Sequence, residues 1–91
     1  MRAIEYLEAL VRNHPGVALS DVLAADPVLL DRIRVLPVAF SWTAGSADGW
    51  YLLKRGERWD FHWQERGAAL HGETFESLAA AIAWGFEQRL I

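Results

Sequence analysis

The chain has no cysteine, a single lysine (Lys54), a single methionine (Met1) and three prolines among its 91 residues. Without thiols neither a disulfide framework nor a thiolate metal cage is available, so a domain near the lower size limit must hold together by apolar burial alone. Long apolar runs are missing as well. The longest, residues 78–86, covers nine positions, far short of the roughly 20 that a bilayer span requires. Glu5 and Glu8 lie within the apolar periodicity of the first residues, which is not the pattern of a signal peptide. A cytoplasmic location and no membrane association are therefore expected. Excess positive charge is also absent. The net charge is −3, and phosphate neutralisation supplies most nucleic-acid affinity, so no nucleic-acid partner is expected.

What is present is one domain, residues 1–91, with 53% apolar composition and five tryptophans at 42, 50, 59, 63 and 84. Tryptophan dominates both cores and binding hot spots, so the count favours neither. Charge is uneven. Residues 1–53 carry four basic and six acidic side chains, 54–66 carry four and three, and 67–91 carry one and three. An acidic chain with one weakly basic hairpin suits a basic partner. Eight arginines and fourteen alanines agree with a GC-rich bacterial genome.

Residues 2–13 read as a helix with Ile4, Leu7, Leu10 and Val11 on one stripe, stopped by Asn13-His14-Pro15-Gly16. His14 then sits at the negative end of the helix dipole, a position that needs no functional account. Ser20 can cap a short turn, and Asp26-Pro27 starts a further helix running to about Leu36. From Val38 the period changes to two. Segments 38–43, 50–55, 58–65 and 68–73 read as strands of an antiparallel meander of three or four strands, with Gly56-Glu57 as a two-residue turn and Arg66-Gly67 as a second. Thr74 is the expected cap of a last helix in which Phe75, Leu78, Ala79, Ile82, Phe86 and Leu90 share one side. The fold class is α+β, with N-terminal helices, the meander, and the C-terminal helix packed on one sheet face.

Tight turns fix the register. Gly56-Glu57 sets Lys54 opposite Trp59, Leu52 opposite Phe61 and Trp50 opposite Trp63. Arg66-Gly67 sets Trp63 opposite Leu70 and Phe61 opposite Gly72. The indoles and Phe61 then face the last helix, while Tyr51, Leu53, Arg55, Arg58, Asp60, His62, Gln64, His71 and Glu73 face water. A three-residue loop would instead turn Tyr51 and Leu53 toward the aromatics.

On that register His62 faces His71 and Asp60 faces Glu73, a set with zinc-ligand chemistry but without any local metal motif. The ordinary reading is a solvated face, and no cofactor or metal is expected. No cysteine, serine–histidine pair or phosphate-cradling loop supports catalysis, so no catalytic residue is assigned. Trp84 lies about 180° from Phe75 on the last helix, either under the N-terminal helix or exposed as an interface anchor. Tyr51, Leu53, Arg55, Arg58, Asp60 and His62 form the other candidate partner surface.

By elimination the expected function is protein binding, of the inhibitor, immunity or antitoxin kind, with a basic toxin or enzyme as the natural partner. Size and charge resemble those of small immunity proteins, although no motif matches them. The alternatives are a metal- or small-ligand-binding domain on the polar sheet face, or a homo-oligomeric adaptor built through Trp84 or a strand edge.

Overall fold

The computed structural model describes residues 1–91 as three helices, a three-stranded sheet and a final helix. The first helix, α1, is Ala3–Asn13, followed by α2 at Leu19–Ala25 and α3 at Pro27–Val35. Strands β1 (Gly49–Arg55), β2 (Arg58–Glu65) and β3 (Ala68–Phe75) form an antiparallel sheet in the order β1-β2-β3, and α4 (Leu78–Glu87) closes the chain. The architecture is α+β with the last helix on the sheet, as expected.

Local chemistry accounts for the helix ends. The Arg2 N–H donates to the Glu5 carboxylate at 3.0 Å, and the Ala3 N–H donates to the Pro37 carbonyl at 2.9 Å, tying the start of α1 to the segment after α3. His14 bonds the Leu10 carbonyl through Nδ1 at 2.9 Å. Asp26 accepts from the Val28 N–H at 3.1 Å with Pro27 in the first helical position, as the sequence predicts. The last helix departs from expectation. Phe75 pairs with Trp59 as a strand residue, so Thr74 is not a cap. Ser77 takes that role instead, accepting from the Ala80 N–H at 3.1 Å.

The β1–β2 hairpin has the expected register from Arg55–Arg58 out to Trp50–Trp63. Gly56 supplies the one positive φ its turn needs, +63°, consistent with type II′. At the second turn Arg66 (φ 51°) and Gly67 (φ 81°) are both left-handed, the type I′ signature. Register there holds for only two pairs, Glu65–Ala68 and Gln64–Ala69. A β-bulge then inserts Leu70, so Trp63 faces His71, His62 faces Gly72 and Phe61 faces Glu73. The expected Trp63–Leu70 and Phe61–Gly72 pairs are each off by one. Segment 38–43 is not a strand of the meander. It contributes a single parallel bridge, Ser41 to Tyr51, with Ser41 N–H bonding the Trp50 carbonyl and Leu52 N–H bonding the Ser41 carbonyl, both at 2.9 Å.

Phe61 is the hub of the core. Its fully buried ring meets Phe40 at 5.1 Å, Trp50 at 6.0 Å and Trp84 at 5.5 Å, all edge-on. Arg34 joins α3 to the same aromatic shell, its guanidinium 4.6 Å from the Trp42 ring centre and 5.8 Å from that of Trp59. Helix α4 packs against β2 and β3 on one side and α2 on the other, with Ala79, Ala81, Ile82, Ala83 and Gly85 buried. A helix that is apolar all round is one enclosed on both sides. Trp84 belongs to its sheet side, half-buried against Phe61 and Phe75 at 5.5 Å each, and does not stand free. By 100° spacing, Ala79, Ile82 and Phe86 fall on the side opposite Trp84.

Candidate functional site

Alternation along β2 directs Asp60, His62 and Gln64 away from the side occupied by Phe61. That face is not open water. His62 is 4% exposed, and Tyr51, directly across the ladder, is equally buried, their rings stacked 5.6 Å apart at 13°. The connection between Ser41 and β1 provides part of the cover. Tyr51 Oη donates to the Ala47 carbonyl at 2.6 Å, Gln64 Nε2 to the Gly45 carbonyl at 2.7 Å, and the Arg66 N–H to Asp48 Oδ1 at 2.9 Å. These three bonds fold residues 45–48 onto one end of the face. The expectation that Asp60 and His62 are both solvated is corrected for His62, and Tyr51 leaves the list of exposed binding residues with it.

Asp60 links two neighbours. Its Oδ2 accepts from Arg55 Nε at 2.9 Å and lies 3.4 Å from His62 Nδ1, which is buried and makes no hydrogen bond. Arg55 is largely exposed, so its pairing with Asp60 contributes at most about 1 kcal/mol. A carboxylate beside an imidazole can orient the ring for proton transfer. The Ser41 and Tyr51 hydroxyls are otherwise engaged, donating to the carbonyls of Thr43 and Ala47, while Thr74 stands opposite Asp60 in the ladder. The expected metal set does not assemble. His71 and Glu73 pair with Trp63 and Phe61 and so lie on the other face from Asp60 and His62, and no group of three or more potential ligands occurs. Arg58 is exposed and 3.8 Å from Glu76, while Leu53 is half-buried beside Asp60 in the ladder.

A second surface was not singled out by the sequence. Leu10 and His14 at the end of α1, Val17 in the following connection, Asp21, Val22 and Ala25 of α2, and Asp26 and Leu29 at α3 enclose a groove of about 360 Å³. Its floor is apolar, Leu10 and Val22 being buried and Val17 50% exposed at one edge. Asp21 and Asp26 stand exposed at its rim. The signal available in the sequence is a charge vacancy, because residues 13–31 hold three aspartates and no lysine or arginine.

The chain matches no family model, no curated protein and no solved structure. No helix is long and apolar enough to cross a membrane.

Proposed function

We propose that the chain is a small protein-binding domain, of the inhibitor or antitoxin kind, whose partner presents a basic segment with an apolar side chain to the groove between α1 and α2–α3. The observation that carries this reading is the pairing of an apolar floor with an acidic rim, Asp21 and Asp26, that forms no ion pair, within a stretch free of lysine and arginine. An apolar side chain on the floor supplies affinity by leaving water, and flanking lysines or arginines meet the aspartates at the rim. Rim charges mainly govern encounter rate and partner choice, so association of this kind weakens as salt rises. The cysteine-free composition agrees with a cytoplasmic setting.

The test is a fluorescence-anisotropy titration of the domain with a labelled peptide alternating leucine with arginine, beside a control carrying glutamate for arginine. Asp26→Asn retains a capping side chain, so the combined Asp21→Asn and Asp26→Asn variant removes rim charge without unseating α3. The basic peptide is expected to bind and the acidic one not, with affinity reduced several-fold in that variant and unchanged by Glu57→Gln at the β1–β2 turn. Equal binding of both peptides, or indifference to the two aspartates, refutes the reading.

A further inference from the structure

We infer that the outer edge of β3 pairs with β3 of a second copy, antiparallel and about a two-fold axis at Gly72, to give a continuous six-stranded sheet. The two ends of the sheet differ. On the β1 side, Ser41 takes the outward carbonyl of Trp50 and the outward N–H of Leu52. On the β3 side no element follows, and every residue from Ala68 to Thr74 is exposed.

The direction of each backbone group follows from alternation in an antiparallel ladder. Trp50 and Leu52 turn away from β2, so Tyr51 and Leu53 bond to His62 and Asp60, and Phe61 and Trp63 turn toward Glu73 and His71. Gly72 and Thr74 therefore direct their N–H and C=O groups outward, where nothing in the chain receives them. Edge strands are ordinarily guarded by lysine, proline or inward charge. β3 has neither lysine nor proline along 71–75, its one carboxylate there, Glu73, lies on the Phe61 face but is exposed, and its bulge lies to one end, at Leu70.

Side-chain order selects the register. Outward residues must face outward residues, which permits Gly72 opposite Gly72, Gly72 opposite Thr74, or Thr74 opposite Thr74. The second sets Glu73 against Glu73 of the other copy, like charges directly opposed. The third sets Glu73 against Phe75. The first sets His71 against Glu73 twice, once on each side of the axis. It also places Leu70, 52% exposed, beside Thr74 of the second copy. The sequence His71-Gly72-Glu73 is thus complementary to itself when reversed, with no side chain at the point where the two strands meet.

Sedimentation velocity of the full chain from micromolar to submillimolar concentration tests this. The native chain is expected to dimerise. His71→Glu and Glu73→His each replace two complementary pairs by two like pairs, and each is expected to weaken association roughly tenfold or more. An equimolar mixture of the two variants restores complementarity and is expected to form a heterodimer, as the double exchange in one chain restores the homodimer. These side chains are exposed, and an unchanged circular dichroism spectrum verifies that each variant is folded. A native chain that stays monomeric throughout overturns the inference, as does a dimer insensitive to both exchanges or a mixture that fails to recover. The Asp21 and Asp26 variants leave this association unchanged, so its failure is separate from that of the groove.

Discussion

Gly85 stands in the middle of α4, where glycine is normally the poorest choice after proline. Replacing it with alanine in an unconstrained helix would stabilise by about 1 kcal/mol. Here the added Cβ would run into Phe61 Cε2 and lie 3.1 Å from Cζ and 3.3 Å from Ile91 Cγ1. Carbon atoms settle at about 3.5–4.0 Å, so the ring must retreat by about 1 Å. It has no room to do so, being fully buried between Phe40, Trp50 and Trp84. Overpacking of this kind costs about 1–3 kcal/mol, and a rigid ring in a closed shell belongs in the upper half of that range. The net expectation for Gly85→Ala is a loss of about 1–2 kcal/mol, or a melting temperature lower by about 5–10 °C. Urea unfolding followed by circular dichroism measures it. In a Phe61→Leu background the obstruction is gone, and the same substitution should become neutral or stabilising, which gives a coupling of about 1–3 kcal/mol in the double-mutant cycle. A Gly85→Ala single variant more stable than the native chain would refute the reasoning, since propensity alone would then decide the position.

Three further expectations rest on other parts of the structure. Arg66 occupies a left-handed position that asparagine adopts far more readily, so Arg66→Asn should raise stability by about 0.5–1 kcal/mol, seen as a higher urea midpoint at unchanged slope. Ser77→Ala removes the N-cap of α4 and should cost about 1 kcal/mol, whereas Ser77→Asp should be close to neutral in the same unfolding assay. Tyr51→Phe loses the 2.6 Å bond to the Ala47 carbonyl. It should cost about 1 kcal/mol and speed hydrogen exchange at the Arg66 amide, which is held by Asp48 in the same connection.

The legibility of the sequence tracks how local each determinant is. Asp26-Pro27 and Gly56-Glu57 announce their structures within two residues, and the first hairpin register follows by counting. The second hairpin carries equally clear turn residues, yet Leu70 bulges, and nothing in Ala68-Ala69-Leu70-His71 marks the extra residue. That single step moves His71 and Glu73 to the other face and dissolves the expected metal set. Trp84 was unreadable for a different reason. Periodicity orients a helix only when one side is polar, and α4 is apolar on both. His62 is buried in part by residues 45–48, a Gly-Ser-Ala-Asp run that reads as an ordinary exposed turn, while the backbone carbonyls that Tyr51 and Gln64 use are common to every residue. The groove at α2 depends on three separate segments meeting, which no local pattern encodes.

The position of α4 as a middle layer bears on how the molecule comes apart. Helices α1–α3 and the sheet meet chiefly through it, so each half relies on the same ten-residue segment to keep its apolar side dry. Far-UV signals from the helices and indole emission from the sheet should therefore vanish at the same denaturant concentration. During synthesis the two halves must wait, exposed, until residues 78–87 leave the ribosome and join them.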